Sequence, residues 1–209
     1  MKDPKLFLVS APSGAGKSSL INSVLKISDE TDFPLELSIS YTTRLPRKGE
    51  SNASEYFFIS KDDFLQKKSS NFFLEYAEVH GNWYGTSFEF VQSKLNSGVN
   101  LILEIDVQGY RQINELNLKC ESIFILPPSI DSLEKRIKMR GDKDLEVINL
   151  RLKNAKNELT YANEYEHIVI NDSFEDASSQ LFKIISQEKR YNKRNPAEVE
   201  KFLANLLSY

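Results

Sequence analysis

The chain has 209 residues, with 30 acidic and 27 basic side chains, a formal net charge of −3 and 40% hydrophobic content. That balance excludes a disordered tail or a polycation and describes an ordinary soluble domain, while the length suits one compact unit with an inserted lobe. A single cysteine, Cys120, excludes an intrachain disulfide and any multi-cysteine metal site. The opening "MKDPKLFLVSAPSG" holds too short an apolar stretch for a signal peptide, and no run is long enough to span a membrane. The expectation is a cytoplasmic protein with no membrane partner.

The first predicted strand, "KLFLVS", leads directly into "APSGAGKS" at residues 11–18. This segment fits the phosphate-loop pattern at every position but the first, where Ala11 replaces glycine. A strand before it and the helix-forming "SLINSVLK" after it supply the required context. Ala11, Pro12, Ser13, Gly14, Ala15 and Gly16 would wrap the phosphates, with Gly14 and Gly16 letting backbone N–H groups face the anion. Lys17 would reach the β and γ phosphates, and the Ser18 hydroxyl would ligate Mg²⁺. Nucleoside triphosphate binding with Mg²⁺ is the expectation.

Residues 35–85 read as a small mixed lobe. "LELSISY" alternates as one half-exposed strand, with Leu35, Leu37, Ile39 and Tyr41 on one face and Glu36, Ser38 and Ser40 on the other. "EYFFI" and "FFLEYAEV" predict further strands around the helix "KDDFLQKK", and Thr86 or Ser87 can cap the helix in "TSFEFVQSKL". "VNLILEID", "SIFILPP" and "HIVIND" return to short apolar runs, so the chain predicts an α/β domain with a largely parallel sheet and helices on both faces. "DSLEKRIKMRGDKDLEVINLRLKNAKNEL" predicts two helices around a polar break that suits a mobile flap. In "NPAEVEKFLANLL", Asn195 and Pro196 stand as N-cap and first helical residue, and Val199, Phe202, Leu203 and Leu206 share a face that packs on the core or on a second subunit.

Lysine outnumbers arginine 19 to 8, so the arginines are informative. Arg44 and Arg47 sit in "TTRLPRKGE", while Arg136, Arg140 and Arg151 bracket the polar break. A guanidinium fork binds two phosphate oxygens at once, which suggests two phosphate-facing surfaces. Pro46 stiffens the first cluster, Thr42 and Thr43 add hydroxyl donors, and Glu50 can orient a guanidinium.

In chain order, "SAPSGAGKSSL", "SYTTRLPRKGE", "EYFFIS", "FLEYAEVHGNWYGT", "LEIDVQG", "IFILPPS" and "VIND" closely resemble the guanylate kinase family, over about residues 5–190. The resemblance implies the phosphate-loop kinase fold, with a parallel-sheet core, an inserted mixed α/β GMP-binding lobe and a mobile lid. Its divisions would be a core at 1–34, 90–126 and 157–209, a lobe at 35–89 and a lid at 127–156. It also implies Mg²⁺-dependent transfer of the ATP γ-phosphoryl group to GMP, with dGMP a further candidate acceptor. Carried over by motif, Arg44, Arg47, Tyr56 and Tyr84 hold the GMP phosphate, with Glu50 beside them. Ser40, Glu75, Thr86 and Asp106 read the guanine. Lys17, Arg44, Arg136, Arg140 and Arg151 act on the phosphates in transit, and Asn171 falls where the family contacts adenine. Glu104 stands where many relatives have aspartate, which bears on the guanine site or the Mg²⁺ waters. Trp83 and Thr86 replace the expected Tyr and Ser.

Guanine chemistry agrees with these assignments. Guanine offers adjacent N1–H and N2–H donors and an O6 acceptor, so a carboxylate such as Glu75 pairs with both donors and a hydroxyl such as Ser40 can serve O6. His80 and His167 have no accompanying nucleophile or ligand spacing and read as structural. Two other functions compete: a non-catalytic guanylate-kinase-like binding module, and a phosphate-loop NTPase, since "DVQG" at 106–109 fits the D-x-x-G of switch GTPases. The intact Gly16, Lys17, Ser18, Arg44 and Arg47 oppose the first. The missing N-K-x-D motif opposes the second. "EKRYNKR" reads as a solvated helix end, so no nucleic-acid partner is expected.

Overall fold

Short runs of β-branched and aromatic residues bounded by turn residues become strands, and the longer stretches with 3.6-residue spacing become helices. The computed structural model describes residues 3–54, 56–79, 81–139, 145–187 and 195–208. Its strands are β1 (Leu6–Ser10), β2 (Leu35–Leu37), β3 (Ser40–Thr42), β4 (Tyr56–Phe58), β5 (Phe73–Val79), β6 (Asn82–Ser87), β7 (Asn100–Glu104), β8 (Cys120–Leu126) and β9 (His167–Ile170). Its helices are α1 (Lys17–Glu30), α2 (Lys61–Ser69), α3 (Phe88–Asn96), α4 (Val107–Glu115), α5 (Ile130–Met139), α6 (Leu145–Leu159), α7 (Phe174–Ile185) and α8 (Pro196–Leu207). The chain forms two units, Met1–Leu6 with Pro34–Cys120 and Phe7–Phe33 with Glu121–Tyr209.

In the first unit, β2 runs parallel to β7, with Leu35 opposite Asn100 and Leu37 opposite Ile102. Buried Asn100 ties the strand ends together: its Oδ1 accepts the Lys5 N–H and its Nδ2 donates to the Pro34 carbonyl, both at 2.9 Å. A second sheet has the order β4-β3-β6-β5, with β3 parallel to β4 and antiparallel to β6. "LELSISY" is therefore not one strand. Leu35–Leu37 pairs with β7, Ser38 donates its N–H to the Ile102 carbonyl at 2.8 Å, and Ser40–Thr42 then enters the other sheet. The change of sheet falls inside an unbroken apolar–polar alternation of letters, which is why the sequence pattern does not reveal it, and it buries Ser38 on the face expected to be polar.

β5 and β6 pair antiparallel from Phe73↔Ser87 to Val79↔Asn82, with a register shift between Phe73 and Glu75. The extra residue breaks the two-residue alternation, so Leu74 and Glu75 are both buried. Below this sheet the fully buried Phe64 of α2 stacks on Phe73 at 4.4 Å and lies 5.7 Å from Trp83. Ser60 caps α2 by accepting the Asp63 N–H at 3.1 Å. Ser87, not Thr86, caps α3, accepting the Phe90 N–H at 3.3 Å.

In the second unit the strand order is β1-β8-β9, and β8 runs parallel to β9 from Ile123↔His167 to Leu126↔Ile170. Every residue of β1 is buried, as expected of an unbroken apolar run inside an α/β sheet. Helix α1 packs on α7, where Ser178 Oγ donates to Ser23 Oγ at 2.7 Å. Helix α8 starts at Asn195, whose Oδ1 accepts the Ala197 N–H at 3.0 Å, and it lays Val199, Leu203 and Leu206 toward its own unit, packing on α6. The polar break at 140–144, with Arg140, lies outside the described residues, as does His80. Among the described residues no helix is long and apolar enough to cross a membrane.

Replacing Phe64 by alanine removes the side chain on which the lobe closes and should cost about 3–5 kcal/mol. Urea unfolding followed by the fluorescence of Trp83, the only tryptophan, measures it; an unchanged midpoint would show that the lobe is held by something else.

Candidate active site

One group of candidate site residues lies in the second unit, where β1 ends at Ser10 and the chain turns through Ala11–Gly16 into α1. The Ala15 N–H donates to the Pro12 carbonyl at 3.0 Å, closing the turn. Gly16, the N-cap of α1, has φ 96°, where an L side chain is strained, and a Cβ there would also collide with Asn171 Nδ2. Asn171 is 4% exposed and donates Nδ2 to the Ala15 carbonyl at 2.7 Å. Arg136 on α5 adds Nη1 to the same carbonyl at 3.2 Å and Nη2 to the Asn171 carbonyl at 3.4 Å. The first turn of α1 carries no acidic residue of its own, which leaves the positive end of its dipole facing the loop. Lys17 is half-buried there and Ser18 exposed. Such a strand–loop–helix turn, with a lysine and a hydroxyl at the helix start, suits a polyphosphate anion.

The first unit, taken by itself, holds two clusters of candidate residues. In one, the Arg44 guanidinium grips the Glu50 carboxylate with two hydrogen bonds, at 3.0 and 2.9 Å, and Glu50 also accepts the Arg47 N–H at 2.7 Å. The Arg47 side chain itself is exposed. Arg44 sits 5.4 Å from the centre of the Tyr56 ring, and Tyr56 lies 5.9 Å from Tyr84. The bond from Arg44, then the one from the Arg47 backbone, pulls Glu50 below the usual carboxylate value of 4.5. The bond to Glu50 holds Arg44 above its ordinary value. Burial, followed by the charges of Glu104 and Tyr84, pushes the Tyr56 hydroxyl up to about 12, so it stays a proton donor. Thr42 gives its hydroxyl hydrogen to β6 and not to this cradle. The Thr42 hydroxyl donates to the Trp83 carbonyl at 3.0 Å, and the Thr43 hydroxyl accepts the Trp83 N–H at 2.9 Å, which ties the arginine loop to β6.

In the other cluster, buried Glu75 is 4% exposed and its Oε1 accepts the Thr86 hydroxyl at 2.5 Å. Thr86 has one hydroxyl hydrogen and gives it to Glu75, so Ser40, 3.2 Å away, is the donor to Thr86. The other carboxylate oxygen abuts Gly109 in the first turn of α4, where a Cβ would collide with it. A helix N-terminus and a hydroxyl thus offset the cost of burying this charge. Asp106 caps the same helix, accepting the Gly109 N–H at 2.9 Å. Gln112 bonds both the N–H and the carbonyl of Tyr76, at 3.1 and 2.6 Å, fixing α4 against β5 beside Glu75.

Within this unit the structure therefore brings together Ser40, Glu75, Thr86 and Asp106, and separately Arg44, Glu50, Tyr56 and Tyr84, with Glu104 near Tyr56. Gly109 and Gln112 were not picked out as site residues. The signal for Gly109 was present in "DVQG", where the aspartate is a helix cap and the glycine leaves room for Glu75. Arg151 lies half-buried on α6. His167 bonds Glu121 at 3.0 Å and takes no part in any of these groups.

A phosphate-loop strand–turn–helix in one unit and a second mixed sheet presenting a buried carboxylate and an arginine cradle in the other define a nucleotide-binding α/β protein. The family model described as guanylate kinase matches residues 3–188. The sequence is 46% identical over 185 residues to a guanylate kinase of Hahella chejuensis, covering 88% of this chain and 87% of that one. It is 43% identical over 209 residues to the guanylate kinase of Escherichia coli, covering 98% of this chain and 100% of the relative. The crystal structure of guanylate kinase from Anaplasma phagocytophilum aligns with a TM-score of 0.71 at 29% identity, over 90% of this chain and 87% of that one. This chain belongs to the guanylate kinase family, and its α/β fold with a second mixed sheet is the one expected.

The Arg44–Glu50 pair predicts a pH dependence. Glu50 titrates lower in the folded protein than the usual 4.5, so its contribution to stability is present above that value and is lost as pH falls through the folded value. Glu50→Gln should cost about 1 kcal/mol at neutral pH, and the difference from wild type should narrow only as the pH falls below the usual 4.5. Urea melts of both proteins across that range give the answer, and a gap independent of pH would remove the ion pair as its cause.

Proposed function

We propose that this chain transfers the γ-phosphoryl group of ATP to GMP, giving ADP and GDP. One observation carries the choice of acceptor: a buried carboxylate, Glu75, supported from behind by Thr86 and by the first turn of α4. Guanine places two adjacent N–H donors where such a carboxylate can accept both, whereas adenine would face it with a lone pair. A site that hydrogen-bonds its substrate can reject a mismatched analogue by up to about 10⁴–10⁵.

In this proposal Ser40, Thr86, Asp106 and Glu104 complete the guanine site around Glu75. Arg44, Arg47, Tyr56 and Tyr84 take the GMP phosphate, with Glu50 holding Arg44 in place. Residues Ala11–Ser18 wrap the ATP phosphates, Asn171 supports that loop from beneath, and Lys17, Arg136, Arg140 and Arg151 neutralise the phosphates in transit. The division into core, lobe at 35–89 and lid at 127–156 is part of the same proposal. Phosphoryl transfer needs in-line positioning and charge neutralisation more than a strong general base, which agrees with a site rich in arginine and with no histidine among its described residues.

Ser18 would hold Mg²⁺. An exposed hydroxyl at the start of α1, with the other ligands left to phosphate oxygens and water, suits a small hard cation that keeps most of its waters. When bound, the ion offsets charge on the β and γ phosphate oxygens.

The test is ADP release with Mg-ATP and, in separate reactions, GMP, AMP, CMP, UMP or dTMP. Release that depends on GMP supports the proposal, and release without any acceptor would replace it with NTP hydrolysis. Lys17→Met should lower transfer by at least about 10²-fold. Glu75→Gln should chiefly relax selection against AMP; wild-type behaviour of both variants would overturn these roles.

A further inference from the structure

The phosphate loop has a second anchor besides its Ala15 carbonyl. Glu158, in the last turn of α6, accepts the Ser13 N–H at Oε2, 3.3 Å away, across 145 residues of sequence. A carboxylate here works against an incoming phosphate. The loop backbone, the open end of α1 and Lys17 together make an environment for an anion, and a fixed negative charge nearby opposes one. Its presence calls for a mechanical reason. A carboxylate accepting a backbone N–H makes a charge-assisted bond, stronger than a neutral one of the same length.

Helix α6 supplies that reason. Glu158 and Arg151 are seven residues apart, close to two turns at about 3.6 residues each, so both leave the helix on one side. Both are half-buried, beside the buried stripe of Ile148, Ala155 and Leu159. One rigid element thus carries a phosphate-directed guanidinium near its middle and the clamp on the phosphate loop at its end.

We propose that Glu158 is a positioning residue for phosphoryl transfer, latching the loop backbone at Ser13 to α6 and so holding the loop in the shape that takes a triphosphate while fixing the helix that carries Arg151. This rests on the kinase function proposed above. Glu158 acts through a backbone N–H and carries no proton for the reaction.

Glu158→Ala removes the acceptor, whereas Glu158→Gln keeps an amide oxygen that can still take the Ser13 N–H. Calorimetric titration of Mg-ADP into wild type and both variants reads the latch without any turnover, and steady-state kinetics then separates the two substrates. Glu158→Ala should weaken ADP and raise KM for ATP by about tenfold, as loss of a hydrogen bond to a charged group implies, with KM for GMP unchanged. Glu158→Gln should recover most of that loss. Wild-type ADP affinity and KM for ATP in Glu158→Ala would overturn the latch, and so would equal losses toward ATP and GMP in the two variants, which mark general destabilisation. Should the alanine variant not fold, Glu158→Asp, too short to reach Ser13, takes its place and carries the same expectation. If the wild type binds ADP but gives GMP no phosphate, the kinase function fails, while the ADP comparison still decides the latch; no ADP binding by wild type overturns both.

Discussion

The phosphate loop depends on one carbonyl pointing the right way. In a trans peptide unit the C=O and the following N–H are antiparallel. The Ala15 carbonyl is drawn inward by Asn171 at 2.7 Å and by Arg136 at 3.2 Å, so the Gly16 N–H in the same unit is turned to the opposite side. Three features follow from that orientation. Gly16 must take a positive φ, Asn171 must occupy the volume its Cβ would have filled, and α1 must start without a side-chain cap. The bare helix end then points its dipole toward any anion that enters. A single buried amide on β9's C-terminal side therefore sets the electrostatics of a loop more than 150 residues earlier.

The other unit solves a comparable problem in the same way. Burying a carboxylate is costly unless each oxygen has a partner, and Glu75 could not approach α4 if residue 109 carried a side chain. The missing Cβ lets the second oxygen lie against the first turn of α4, at the positive end of its dipole. The bulge between Phe73 and Glu75 is the second requirement, because without it Glu75 would follow the ordinary alternation and lie on the opposite face from its buried neighbour Leu74. Gln112 keeps helix and strand in register at this point. Guanine selectivity, where it is exercised, would be as much a property of this backbone geometry as of the glutamate.

Much of this was legible in the sequence because its signals are local. The phosphate loop is a contiguous pattern between a strand and a helix, Asn195 and Pro196 mark the start of α8, and the apolar runs become β1, β7, β8 and β9. What escaped is non-local or has no composition of its own. The change of sheet at Ser38 falls inside the unbroken alternation of letters in "LELSISY", and the bulge at Leu74 is invisible among residues that all suit a strand. Glu158 and Gln112 meet their backbone partners 145 and 36 residues away, distances at which no spacing rule operates. "DVQG" shows a related difficulty: a helix cap followed by a glycine needed for close approach has the same spelling as a GTPase switch motif.

The arginine cradle illustrates a choice between attraction and order. Pairing Arg44 with Glu50 gives up part of the positive charge available to a phosphate, and a design seeking the strongest field would leave Arg44 without a carboxylate partner. A long side chain that must be ordered on binding, however, loses about 0.5–1.5 kcal/mol of rotamer entropy at that moment. Glu50 holds the guanidinium fork beforehand with two bonds, and the rings of Tyr56 and Phe58 lie within 5.4 and 5.7 Å of it. Tyr56, kept protonated by its burial, places a neutral donor beside the cation, so part of the recognition of an anion is transferred from net charge to fixed hydrogen-bond geometry. Net charge attracts any phosphate, whereas in the proposed site a fixed arrangement of donors would favour the one placed at the correct distance from the base.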